Sequence, residues 1–172
     1  MFAVIALPNE IDYVVAFVAY QLAGVTPATF MSPPLSTDRA VDAYVTRLGA
    51  LVRDCDPAVI IAHTDLVLRL LAHPTGAVVC GGRATLAPEL IEPGADIGFA
   101  DPTGGRSRLA LLQYTSGSTS QPKGVMIGHD NLTHNLGVIA QAFRSVEGES
   151  IAGWLPLHHD MGMIGLICHA LW

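Results

Sequence analysis

The sequence predicts an α/β protein in which βαβ units build a largely parallel sheet. The main observation is an alternation along the chain. Short apolar runs of strand length are followed by stretches whose apolar residues recur every three or four positions. The second is size: 172 residues, 51% of them hydrophobic, suffice to bury a core within one domain.

The elements follow in order. Ala3–Leu7 reads as a strand and Ile11–Ala23 as a helix stopped at Gly24. Val25–Phe30 is a poor strand leading to a loop at Ser32, Pro33 and Pro34. Ser36 or Thr37 can cap a helix over Asp38–Cys55, where Val41, Val45, Leu48 and Val52 form one apolar stripe. Ala58–Ala62 reads as a strand, Asp65–Ala72 as a short helix, and Ala77–Cys80 as a strand ended by Gly81 and Gly82. The polar, glycine-containing stretch 95–108 reads as a loop between subdomains. Leu109–Tyr114 is a buried strand, followed by a polar loop and a helix over Asn131–Phe143. Ile151–Leu155 is expected to be a last strand.

Composition excludes several functions. Charged residues make up 14% of the chain and its mean hydropathy is +0.43, which raises the question of a membrane. No apolar run reaches the roughly 18 residues a spanning helix needs, and Gln21 interrupts the longest early stretch. Residues 1–7 carry no basic segment and are followed by Pro8, Asn9 and Glu10, unlike a secretory signal. A net charge of −6 disfavours nucleic-acid binding. Cys55, Cys80 and Cys168 form no CxxC pair and read as reduced apolar fillers of a cytoplasmic protein, without zinc. The segment Met161–Trp172 is almost wholly apolar. It is expected to be buried by something, or to belong to a larger fold.

The most informative segment is Tyr114-Thr115-Ser116-Gly117-Ser118-Thr119-Ser120-Gln121-Pro122-Lys123-Gly124, which follows a strand. Glycines let successive backbone N–H groups converge into an anion nest. The hydroxyls add donors, and Lys123 adds a positive charge on a flexible stem. Such a loop suits a polyphosphate. It is not a Walker A loop, because Pro122 stands where the second glycine belongs and Gly124 replaces the hydroxyl residue. On residue types alone, a serine-rich turn remains an equal reading.

The ordered string resembles the phosphate-binding signature of the adenylate-forming superfamily. That signature runs tyrosine or phenylalanine, Thr-Ser-Gly, serine or threonine, Thr-Gly, any residue, Pro-Lys-Gly-Val. The chain departs from it at Ser120, where glycine is usual. A second string, Trp154-Leu155-Pro156-Leu157-His158-His159-Asp160-Met161-Gly162, follows the expected last strand. Its W-L-P-x-x-H-D-M-G form looks like the fatty-acyl-AMP ligases rather than the acyl-CoA synthetases or peptide-synthetase domains. Weaker likeness covers residues 5–24 and 38–62.

The resemblance implies a set of site residues. Thr115, Ser116, Gly117, Ser118, Thr119, Ser120, Lys123 and Gly124 would bind the phosphates of ATP, and Thr119 is a candidate neighbour of a magnesium ion. Lys123 and His159 are the candidate catalytic residues, with His159 between the nucleotide and acyl pockets. Met161, Gly162 and Gly165 would shape the acyl channel. By itself the pair His158 and His159 beside Asp160 offers no third ligand at helical spacing, so a metal site there is not expected. His63, His73, His129, His134 and His169 stand singly near element ends and read as caps or fillers.

The resemblance also implies a reaction: a fatty acid and ATP give an acyl-adenylate and pyrophosphate, and the acyl group passes to the phosphopantetheine thiol of an acyl carrier protein. Superfamily members are several times longer than this chain. The sequence is therefore expected to be part of a large N-terminal adenylation domain, lacking the C-terminal domain and inactive alone. The alternatives are a fatty-acyl-CoA synthetase fragment, a non-catalytic remnant or binding module, or an artificially truncated chain.

Overall fold

The computed structural model describes residues 1–32, 37–81, 84–86, 109–115 and 123–172. The subdomain loop expected at 95–108 lies outside them. A six-stranded sheet has the order β4-β3-β1-β2-β5-β6. Strands β1 (Phe2–Ile5), β2 (Thr26–Thr29), β3 (Val59–Ile61), β4 (Ala84–Leu86) and β5 (Leu109–Thr115) run parallel, as the alternation predicts. Strand β6 (Lys123–Gly128) pairs antiparallel with β5 and closes one edge.

Helices cover both faces, as a parallel sheet requires. Helices α2 (Asp38–Cys55), α3 (Thr64–Ala72) and α4 (Pro74–Cys80) pack on one face against Val4, Ala6, Ala28, Ile60, Leu112 and Tyr114. The other face carries α1 (Ile11–Leu22) and α5 (His129–Phe143). There Tyr13, Phe17 and Leu136 pack with Ile5, Leu7, Ile61 and Leu111. Strand alternation sorts these residues: Val4 and Ile5 are neighbours in sequence but belong to opposite cores.

The predicted ends of α1 and α2 hold. The Thr37 side chain accepts from Ala40 N at 3.2 Å and opens α2. Beyond α1, Gly24 takes φ +67°, which glycine adopts without a Cβ penalty.

Two expected strands are overturned. Residues 77–80 are the end of α4, not a strand. Pro74 begins that helix, and Gly76 N donates to His73 Nδ1 at 3.1 Å, so the start is capped. A short apolar run cannot by itself distinguish a strand from a turn of buried helix. The strand beside β3 is β4, a few residues later. Residues 151–155 are also not a strand, since the edge beside β5 is already taken by β6.

The C-terminal segment is helical: α6 (Asp160–Gly162), a π-helical stretch Met163–Cys168, and α7 (His169–Leu171). Met163, Ile164 and Cys168 are buried against the sheet face that carries α1 and α5. Met161, Leu171 and Trp172 remain exposed, so the apolar segment is covered on one side only. Among the described residues, no helix is long and apolar enough to cross a membrane.

Candidate active site

The first helix after β1 lies on one face of the sheet, and the first helix after the adjacent strand β2 lies on the other. Neighbouring connections that leave toward opposite faces open a crevice at the carboxyl ends of the strands, where open α/β sheets bind ligands. The histidine string occupies this crevice.

Four side-chain hydrogen bonds hold the string. After β1, Asn9 Nδ2 donates to the Leu155 carbonyl at 3.1 Å, and Leu157 N donates to Asn9 Oδ1 at 2.6 Å. At the end of β2, the Thr29 hydroxyl donates to the His158 carbonyl at 3.4 Å. From β5, Gln113 Nε2 donates to the same carbonyl at 2.6 Å. Residues 155–158 have no ladder partner, so these contacts satisfy backbone groups that would otherwise compete for water. A turn follows, with His159 N donating to the Pro156 carbonyl at 3.0 Å and Met163 N to the His159 carbonyl at 2.8 Å.

The two histidines differ in environment. Their ring centroids are 4.5 Å apart. His158 is half-buried, and its pKa is pushed below the usual value by burial and then by neighbouring His159. His159 is exposed. Gly162 is held by close packing: a Cβ there would lie 2.2 Å from the Pro156 carbonyl oxygen. At Gly165 a Cβ would meet nothing within 4 Å, and Met161 is 62% exposed.

The phosphate string begins at the same edge. Residues 116–122, and with them Ser116, Gly117, Ser118, Thr119 and Ser120, lie outside the described residues. Its two ends are described. Thr115 ends β5 and Lys123 begins β6, and the two are cross-strand partners. Lys123 is exposed. Gly124 stands opposite Tyr114, where a Cβ would come within 3.0 Å of Leu112 Cδ1 and 3.1 Å of Tyr114 Cζ. The glycine therefore lets the Tyr114 ring lie across β6. The Tyr114 hydroxyl donates to Asp54 Oδ2 on α2 at 2.6 Å. Burial first, and then this bond, pushes the tyrosine pKa up.

Among the described residues, a group of His, Asp and Glu with ligand atoms within 4.8 Å of one another is Glu10, Asp12 and His63. Glu10 pairs with His63. Glu10 and Asp12 sit at the start of α1, and His63 precedes α3. The carboxylates there offset the partial positive charge of the helix N-terminus.

The sequence missed Asn9, Thr29 and Gln113. Gln113 left a signal, as an amide inside an otherwise apolar strand. Asn9 looked like nothing more than a strand terminator.

A histidine string is thus held at the carboxyl ends of a parallel sheet, beside Thr115 and Lys123 at the two ends of the phosphate-type string, which is where open α/β sheets bind ligands. The AMP-binding enzyme family matches residues 2–172, and the chain belongs to that family. Three curated relatives show the range of names within it. A Mycobacterium leprae protein named as a fatty-acid–CoA ligase is 34% identical, over 94% of this chain and 28% of its own length. A medium-chain-fatty-acid–acyl-carrier-protein ligase of Teredinibacter turnerae is 30% identical, over 98% and 31%. A long-chain-fatty-acid–AMP ligase of Mycobacterium tuberculosis is 32% identical, over 96% and 28%. The fold is similar to that of a fatty acyl-adenylate ligase from L. pneumophila solved with acyl adenylate and pyrophosphate. That similarity has a TM-score of 0.79 at 29% identity, over 99% of this chain and 28% of that one. The chain thus spans less than a third of the length of these relatives.

Proposed function

We propose that this chain is part of an adenylation domain that activates a fatty acid with ATP, giving an acyl-adenylate and pyrophosphate, and that the acyl group then passes to a carrier-protein thiol. The observation that carries this reading is the shared edge: Thr115, on the strand whose Gln113 grips the histidine string, pairs with Lys123 at the start of β6, and the phosphate string runs between these two residues in sequence.

The chemistry asks for two anions, a carboxylate and a triphosphate, to approach in line. Hydroxyl and backbone donors from Thr115 to Ser120, with the Lys123 ammonium, would hold the β- and γ-phosphates and offset charge developing on pyrophosphate. Hydroxyl oxygen is a hard donor suited to magnesium, so Thr119 is the residue proposed to neighbour that ion, which would share the phosphate charge. His159 would lie between nucleotide and acid and orient the carboxylate. Met161, Gly162 and Gly165 would line the acyl side. The missing lengths of the relatives are where adenine and ribose contacts and a C-terminal domain are proposed to lie, in a cytoplasmic enzyme.

A second reading, transfer to coenzyme A, is favoured by the name of the Mycobacterium leprae relative. Product chromatography with the full-length protein separates the two. With fatty acid, ATP, free coenzyme A and a carrier protein, acyl-AMP and acylated carrier are expected. Rapid acyl-CoA formation would favour the second reading, and absence of any ATP-dependent acyl product would overturn both.

A further inference from the structure

We propose that Gln113 is a positioning residue, working with Asn9, that fixes the histidine string relative to the Thr115–Lys123 pair at the end of β5. The inference rests on the adenylating function above and goes beyond it, because neither residue belongs to the two motifs that suggest it.

Gln113 is only 5% exposed, and it directly follows Leu109, Ala110, Leu111 and Leu112 on its strand. As a device for stability it is a poor choice. Its Nε2 donates to the His158 carbonyl at 2.6 Å, but its Oε1 is buried and accepts no hydrogen bond among the described residues. A half-satisfied buried amide contributes less to stability than an apolar side chain of the same length. What it supplies is direction. A hydrogen bond to the His158 carbonyl fixes the peptide plane between His158 and His159, and with it the Cα of His159.

The coupling runs along the strand as well as across it. Gln113 lies two residues before Thr115, which pairs with Lys123. Thr29, its neighbour in the β2–β5 register, donates to the same His158 carbonyl. On the far side of the string, Asn9 holds Leu155 and Leu157 through both ends of its amide. A segment without ladder partners is thereby referenced to β1, β2 and β5 together. Misplacing a reacting group by about 1 Å costs on the order of a hundredfold in rate. The placement of His159 relative to the Thr115–Lys123 pair is therefore a property that these amides control.

The test uses the full-length protein and steady-state release of pyrophosphate that depends on fatty acid. Gln113→Met keeps the volume and removes the donor. Asn9→Ala removes an exposed side chain, and so reports even if the buried substitution prevents folding. In both variants, kcat per folded molecule is expected to fall at least about tenfold while the KM for ATP stays within about twofold. A purely structural role would lower the folded fraction and leave kcat per folded molecule unchanged. If either folded variant keeps a wild-type kcat, or shows only a raised KM for ATP, the coupling role is overturned. A wild-type protein that makes no acyl-adenylate overturns the adenylating reading and this proposal with it, and is recognised before any variant is made.

Discussion

Gly124 lies directly across the β5–β6 ladder from Tyr114, close enough that a Cβ on the glycine would stand 3.1 Å from the ring carbon bearing the hydroxyl. Neither neighbour can yield easily, because Leu112 is buried and Tyr114 is tied to Asp54. Gly124→Val is therefore expected to cost about 1–3 kcal/mol through overpacking. For a chain of this size that lowers the melting temperature by roughly 2–4 °C per kcal/mol, measurable by thermal unfolding. An unchanged melting temperature would show that the ring moves freely.

Lys123 begins β6 opposite Thr115, and its charge is the one cation that the phosphate string itself contributes. In the full-length protein, Lys123→Ala is predicted to slow acyl-adenylate formation at least about tenfold, equivalent to roughly 1.4 kcal/mol of transition-state stabilisation. Pyrophosphate release at saturating ATP reads this out. A wild-type rate would remove Lys123 from the site.

All four tyrosines, Tyr13, Tyr20, Tyr44 and Tyr114, have their phenol pKa raised, with burial the leading cause each time. Tyr20 is pushed up to about 12. The folded chain then holds protons that the unfolded chain releases near pH 10, so stability falls as pH rises above about 10. A titration of phenolate absorbance should show no step near pH 10 in the folded chain. The tyrosines should ionise together as the protein unfolds. A reversible step of even one tyrosine at the ordinary value contradicts the burial described.

Burial, and then neighbouring His159, lowers the pKa of His158 below its usual 6.5. Between the folded and unfolded values the unfolded chain binds more protons. Stability is accordingly full above about pH 6.5, is lost as pH falls toward the folded value, and levels off below it. His158→Gln keeps the carbonyl that Gln113 and Thr29 grip, and should flatten this part of the curve. Denaturation midpoints collected between about pH 5 and 8 decide the matter. Identical slopes for both proteins would mean that His158 titrates normally.

Two glycines of the histidine string separate packing from function. Gly162→Ala would drive a Cβ into the Pro156 carbonyl and should destabilise the fold by about 1–3 kcal/mol or displace the turn. Gly165 has open space, so Gly165→Leu should fold normally. If it lines the acyl channel, the full-length variant should shift its preference toward shorter fatty acids by at least about tenfold in kcat/KM. An unaltered chain-length profile would take Gly165 out of that wall.

Much of this architecture was legible in the residues. The stripe Val41, Val45, Leu48 and Val52 with Thr37 before it marks a helix because periodicity and capping are local properties, and both appear as expected. The phosphate and histidine strings were legible because their order is specific. Residues 77–80 and 151–155 were misread for a shared reason. An apolar run of a few residues is compatible with strand, helix or extended coil, and only the neighbours decide. Pro74 with the His73 cap turned the first into helix. For the second, β6 held the edge of β5, and residues 151–155 stayed outside the sheet.

The sequence by itself determined the class of fold and the two strings, because hydrophobic period and residue order do not depend on where the chain goes next. Tertiary structure decided that the histidine string is held from β5, two residues before Thr115. The crevice exists because the helices that follow β1 and β2 lie on opposite faces of the sheet, a consequence of strand order that no local window contains. It also decided which polar residues grip the histidine string. Asn9 follows β1, Thr29 ends β2 and Gln113 lies on β5, and they converge on residues 155–158 because those backbone groups, outside any ladder, must find donors and acceptors elsewhere.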